Sequence, residues 1–549
     1  MNALVPLPVL LPLCATGVSL TFGTRLARFQ RFISVAVLTA VLALSVTLMI
    51  AADRQGPLSV HLGDFAPPLG ITLVADRLSG LMLTVSSAVT LSVLVYSLGQ
   101  GMADRDKETP VAVFHPAYLI LVAGVSLTFI AGDLVNLYVG FEIMLVASFV
   151  LLTLGGTGPR IRAGSTYVII SLFSSMLFLT AIAMTYAATG TANFAQLAVR
   201  LPDLSLGVQT LVQAMLLTVF AVKAAVFPLA AWLPDSYPTA PAPVTAVFAG
   251  LLTKVGIYCM LRTETLLFPG NRLGDLLMAV ALASMIVGIL GAVAQTDLKR
   301  LFSFTLISHI GYMVFGIGLA TREAYGGAIF YVAHHITVQT TLFLVAGLIE
   351  RRGGTNELTR LGGLARAAPL LAVLFFLPAM NFAGIPPLSG FIGKLGLMRA
   401  GVADGSVWAW ILVTGATVTS LLTLYVMAKI WNLAFWRTEP PGQAAYGTVL
   451  ETSDDTDDDD ADTGPDRIPG TGDEGVGPSP AGQPVAATLQ GRAVTTTIHP
   501  PKAMTGATAG AVVLGLAFTV LAGPLTAFTD RSAAELIARR PYVEEVLGP

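Results

Sequence analysis

Apolar residues recur along this chain in continuous blocks of about twenty, separated by short polar joints. A helix needs about 20 apolar residues to cross the hydrocarbon layer of a bilayer. That rule predicts about fourteen spans, near residues 3–22, 32–52, 77–99, 113–132, 134–154, 164–188, 207–231, 242–263, 273–295, 301–320, 325–349, 368–398, 406–435 and 505–528. Only Gly132 and Asp133 divide the fourth from the fifth. Barrel strands would instead alternate apolar and polar positions over about ten residues. The predicted fold class is therefore all-α, a polytopic membrane protein. No Lys or Arg precedes the first run, which reads as a retained span and not a cleaved leader.

Two spans are interrupted. AVFPLAAWLP carries Pro228 and Pro234, and AGIPPLSG carries Pro386 and Pro387. Unwound backbone at membrane depth is tolerated only inside protein or beside water. Two broken helices at corresponding places predict inverted repeats with a site near the midplane, here 113–263 and 273–435. Residues 1–112 then supply three N-terminal spans, and 505–549 the last span with a short tail.

Composition agrees. Only 12% of the 549 residues are charged, and the mean hydropathy is +0.75, whereas a soluble protein is about a quarter charged. A net charge of −2 gives no case for nucleic-acid binding. Cys14 and Cys259 fit neither a disulfide framework nor a metal or iron–sulfur site, so no metal and no cofactor are expected. Lys and Arg in short loops favour one side by about two to one. That side is read as cytoplasmic, with both termini outside. The stretch at about 438–502, containing ETSDDTDDDDADTGPDRIPGTGDEG, is too polar to bury and is expected to be a disordered cytoplasmic linker. Its Asp run lacks the Gly and terminal Glu of an EF-hand loop, so tethering is favoured over Ca²⁺ binding.

The informative residues are the few ionisable ones within spans: Glu142, Lys223, Lys254, His309, His334, His335 and Lys394. A lone charge at the bilayer centre costs from ~3 to more than 10 kcal/mol. Such groups face the bundle interior, pair with one another or line water. Three lysines, a glutamate and one or two histidines over five or six helices suit a proton relay. A Glu–Lys pair that opens and closes changes how tightly the next lysine holds its proton. A static Glu142–Lys223 pair that only fixes packing is the plainer alternative. His309 is read as a satisfied core histidine and left out of the site. Of the adjacent His334 and His335, helix geometry is expected to point only one into the channel. Lys394, just past a break, has the strongest claim among the lysines to a merely interfacial place.

Four stretches carry a resemblance: NLYVGFEIMLVASFVLL around Glu142, the Lys223 stretch through WLPDSYPTAPAPVTAVFAGLLTKVGIYCMLR, QTDLKRLFSFTLISHIGYM, and GIPPLSGFIGK. Over about residues 60–435 the chain resembles the antiporter-like subunits shared by respiratory complex I and the multisubunit Mrp-type Na⁺/H⁺ antiporters. Its length and the wording around Glu142 are most similar to the Mrp D-subunit branch. The resemblance implies that Glu142 and Lys223 form a gating pair, Lys254 the central relay, His334 the bridge between half-channels, and Lys394 the terminal proton carrier. Some members of the wider family place a lysine where this chain has Gln339, so the step from His334 to Lys394 would run through water or His335. The implied function is proton translocation that drives Na⁺ efflux across the cell inner (plasma) membrane. The implied partners are other Mrp subunits, the lipid bilayer and H⁺, with Na⁺ as a second candidate ion. The alternative is a proton-pumping membrane subunit of complex I or of a membrane-bound hydrogenase.

Overall fold

The computed structural model describes residues 1–22, 27–100, 111–438 and 501–548, so the acidic linker, apart from its ends, lies outside the described residues. Among the described residues the chain is helical almost throughout. The first helices are α1 (Leu7–Phe22), α2 (Ala27–Gln55), α3 (Arg77–Gln100), α4 (Val111–Ile130), α5 (Leu134–Thr153), α6 (Gly158–Thr189) and the short α7 (Phe194–Arg200). Then come α8 (Leu206–Ala224), α9 (Leu233–Ser236), α10 (Ala242–Val247), α11 (Thr253–Leu266), α12 (Gly274–Ala294), α13 (Leu298–Leu319) and α14 (Arg322–Gly353). The remainder are α15 (Leu364–Ala367), α16 (Pro369–Ala383), α17 (Ser389–Asp404), α18 (Val407–Ile430), α19 (Lys502–Val520), α20 (Ala522–Ala538) and α21 (Arg540–Leu547).

Thirteen helices among the described residues are long and apolar enough to cross a membrane. The fourteenth predicted span, 368–398, is the pair α16 and α17, each too short alone because the prolines divide them. The division at Gly132–Asp133 is sharp: the Asp133 carboxylate accepts from the Asn136 N–H at 2.7 Å and caps α5. One element the spans did not anticipate is a two-stranded antiparallel hairpin, β1 (Leu58–His61) and β2 (Thr72–Ala75), between α2 and α3. Helix alternation places the hairpin on the same side as the ends of α4, α6, α11, α13 and α17. That side is called the hairpin side below.

Burial separates centre from rim. The most apolar window of α14 is wholly buried, against 28% for α2 and 33% for the helix that runs from Val407. The 32-residue α14 packs against α3, α10, α13, α16, α17, α19 and α20, and is the axis of the bundle.

Both predicted breaks are present and are satisfied in the same way. After α8, Ala225 adopts left-handed geometry, and the freed Phe227 N–H donates to Ser284 Oγ of α12 at 3.0 Å. After α16, Gly384 (φ +87°) turns the chain, and the Ser389 N–H donates to Thr519 Oγ1 of α19 at 2.9 Å. Each unwound segment hands an orphan amide to a hydroxyl of a neighbouring helix, as backbone at membrane depth requires.

Candidate functional site

Glu142 and Lys223 lie on the flank of the bundle. Val135, Val139, Val146 and Phe149 of α5 are all exposed, and at helical spacing they form an outward stripe with the half-buried Glu142 in its middle. Lys223, at the end of α8, is turned toward α6, donating to Ser171 O at 3.3 Å and Ser175 Oγ at 3.4 Å. Its ammonium stands 5.7 Å from the centre of the Phe141 ring. No ion pair among the described residues joins it to Glu142, whose Oε1 has no hydrogen-bond partner. The structure thus holds the two charges as neighbours without contact. A cavity of about 30 Å³, lined by Phe141, Tyr167, Ser171, Lys223, Trp232 and Tyr237, gives the ammonium room for a water or two.

Lys254 is fully buried, and its Nζ donates to Ala249 O at 2.5 Å. That carbonyl belongs to a π-helical turn, Phe248–Leu252, between α10 and α11. A π turn widens the ring of backbone hydrogen bonds and recurs at functional sites. The wide turn has a packing reason too. A Cβ on Gly250 would collide with Thr340 Oγ1 of α14, and one on Gly256 would stand 2.7 Å from Ala224 N beside the first break. The glycines flanking Lys254 let its helix press against both the axis and the broken helix.

Lys394, in the second turn of α17, reaches back to the second break. It donates to Phe382 O at 3.3 Å and Ala383 O at 3.1 Å, carbonyls that the end of α16 leaves without helical partners. Its Nζ stands 5.1 Å from the centre of the Tyr312 ring. Gly384 must remain glycine, since a Cβ there would press on Lys394 Cδ at 3.1 Å and φ is positive. Past Lys394 toward the hairpin side lies a cavity of about 390 Å³, lined by Glu323, Gly393, Gly396, Arg399, Thr529 and Asp530 among others.

Between the two lysines lies a histidine cluster. His334 Nδ1 meets Ser389 Oγ at 3.0 Å, which ties the axis to the second break, and Ser389 Oγ donates on to Asn381 Oδ1 at 3.2 Å. The His335 ring lies 5.2 Å from that of His309, and neither of its nitrogens has a protein partner. Gln339, one turn further on, donates from Nε2 to Phe302 O at 3.1 Å and keeps its Oε1 unpartnered.

Two expectations change here. Both imidazoles reach the polar cluster, because α14 is enclosed on every side and positions 100° apart both meet protein. His309 belongs to the cluster as well. Its Nδ1 is hydrogen-bonded to Tyr331 Oη at 2.7 Å, as a satisfied histidine would be, but its Nε2 has no partner. The ring stacks on Phe382 at 3.9 Å, directly between the axis and the second break. Buried nitrogens and oxygens without protein partners thus collect in one region, around His309, His335 and Gln339. Pro228 follows the end of α8 by four residues, and Pro386 and Pro387 lie in the segment between α16 and α17.

Two half-helix breaks, each with a buried or half-buried lysine, bridged by histidines on a central helix, define the class as a polytopic ion-translocating subunit. The family described as NADH:quinone oxidoreductase/Mrp antiporter, TM, matches residues 131–423, and the chain belongs to it. The Na(+)/H(+) antiporter D-subunit of Alkalihalophilus pseudofirmus is 42% identical over 458 residues, covering 82% of this chain and 91% of that protein. A chain of the Mrp complex from Dietzia sp. superposes with a TM-score of 0.83 at 30% identity, over 100% of this chain and 99% of that one. A chain of respiratory complex I from Thermus thermophilus shares the fold, with a TM-score of 0.73 at 23% identity, over 97% and 99%.

Proposed function

We propose that this chain is the proton-translocating subunit of a hetero-oligomeric Na⁺/H⁺ antiporter in the cell membrane, a secondary-transport subunit that works beside other Mrp-type subunits. The observation that carries the reading is the polar series from Lys223 through Lys254 and the His309–His334–His335 cluster to Lys394, inside a fold shared with a chain of an Mrp complex. The two breaks support 113–263 and 273–435 as inverted repeats, and the basic bias of the opposite side supports placing the hairpin side outside the cell, with both termini.

Protons entering through this chain drive Na⁺ out. Each charge crossing the membrane carries ~2.3 kcal/mol per 100 mV. The membrane potential contributes to Na⁺ efflux only if more protons than Na⁺ ions move per cycle. Glu142, standing near Lys223 without pairing, is the group whose approach switches that lysine between holding and releasing a proton.

The test is Na⁺-induced dissipation of a ΔpH imposed by an ammonium gradient in everted vesicles carrying the whole complex, with no redox donor supplied. Addition of Na⁺ is expected to move protons at once. Proton movement that ignores Na⁺ and appears only with NADH or another electron donor assigns the chain to a redox-driven pump instead.

A further inference from the structure

A buried carboxyl lies outside the series above. Glu264 occupies the last turn of α11 on the hairpin side and is only 3% exposed. Its two oxygens accept from one group, the Gln213 carboxamide of α8, at 3.0 and 2.9 Å. No cation pairs with it among the described residues. Arg262 on the same helix is bound to Asp76, and from α20 Arg531 is bound to Asp53 and Glu535 to Arg77. From the axis, the buried phenol of Tyr325 faces it. Lys254 on its own helix, and Lys223, His309 and His115 on the packed helices α8, α13 and α4, lie well back from this end.

Gln213 is itself 1% exposed, its Oε1 has no partner, and it lines a cavity of about 290 Å³ with Pro202, Gln209, Leu267, Phe268 and Arg272. Gln209 is fixed there by its bond to Leu204 O at 2.8 Å.

An ionised carboxylate so placed, with amide donors alone, is costly to keep. A carboxyl that alternates between states needs a neighbour that can donate to the anion and accept from the acid. A carboxamide is that neighbour. Its NH₂ serves the carboxylate, and rotation presents the free Oε1 to the carboxylic acid O–H. From this geometry we propose that Glu264, served by Gln213, is an additional proton-carrying residue between the hairpin-side cavity and the buried relay. The inference rests on the transport reading above. On uptake, a hydronium in the cavity becomes water and the carboxylate becomes the acid; on release toward the interior, the acid returns to carboxylate and a water takes the proton. Lys254 lies ten residues back on the same helix, about 15 Å along its axis, so water carries the proton between them.

The experiment compares Glu264→Gln, Glu264→Asp and Lys223→Ala in the whole complex, at equal assembly, by Na⁺-induced exchange across a pH series. E264Q keeps shape and neutrality and is expected to lower exchange by at least about tenfold. E264D is expected to recover part of it with a displaced pH profile. In infrared difference spectra of the purified complex, a carboxylic-acid carbonyl band is expected to vanish in E264Q, which a purely structural role does not predict. Native exchange and profile in E264Q beside an inactive K223A overturns the role of Glu264 alone. Native exchange in K223A overturns the transport reading beneath it. If E264Q fails to assemble, E264D decides: a displaced profile supports the role, and a native one overturns it.

Discussion

Lys254→Met is expected to abolish Na⁺-coupled proton exchange while leaving the complex assembled. Lys254 has no carboxylate partner among the described ion pairs; its one hydrogen bond goes to a backbone carbonyl of the adjoining π turn. A buried ammonium held only by a carbonyl is destabilising to the fold. Methionine fills a similar volume without the charge, so the variant should be at least as stable as the native chain. The sequence keeps a costly group where packing does not need it, between the first break and the histidine cluster. Transport and stability should therefore separate. Intact complex by native electrophoresis with exchange at background is the expected pair of results, and an assembled K254M complex exchanging at the native rate would refute a relay through this residue.

The second large effect is structural. Asp76, just before α3, and Arg262, in α11, form a buried bidentate pair, with contacts of 2.6 and 2.8 Å at 1% and 4% exposure. Asp76 also accepts from the Ser79 N–H and Oγ. The arginine lies 5.5 Å from the Tyr258 ring and 5.2 Å from that of Tyr542 in α21. One ion pair thus joins α3, α11 and the C-terminal helices. Asp76→Asn leaves the guanidinium buried and uncompensated, which typically costs about 3–5 kcal/mol. The expected outcome is a large drop in the melting temperature of the purified complex. Asp76→Asn combined with Arg262→Met should recover much of it, because neither charge is then stranded. Burial alone would raise the Asp76 carboxyl, but the Arg262 charge and the hydrogen bonds from Arg262 and Ser79 outweigh it and hold it below the ordinary carboxylate range. A depressed carboxyl stabilises the fold above its ordinary value of about 3.9. That contribution is lost as pH falls through the lowered value, so this joint should loosen only in acid.

The membrane helices and both breaks were legible in the sequence because one-dimensional signals encode them: run length, proline and glycine. The intramembrane charges were legible because each is costly where it stands. What joins them was not. His309 looked like any core histidine, since its stacking on Phe382 and its approach to His335 depend on how α13, α14 and α16 pack. Asp76 and Arg262 are 186 residues apart, so nothing local in the sequence pairs them. Glu264 falls just outside the predicted span, whose apolar run ends at 263. The helix continues to Leu266 because neighbouring helices, not its own apolarity, bury that last turn. The hairpin strands are four residues each, too short for their alternation to stand out beside long apolar runs.

The most direct measurement is Na⁺-induced ΔpH change in everted vesicles bearing the whole complex, native against Lys223→Ala at equal assembly. Lys223 lies at the first break, with its ammonium free of any carboxylate contact and beside a cavity that admits water. Exchange present in the native complex and lost in the variant is the predicted result. Equal exchange in both would contradict a proton route through this chain.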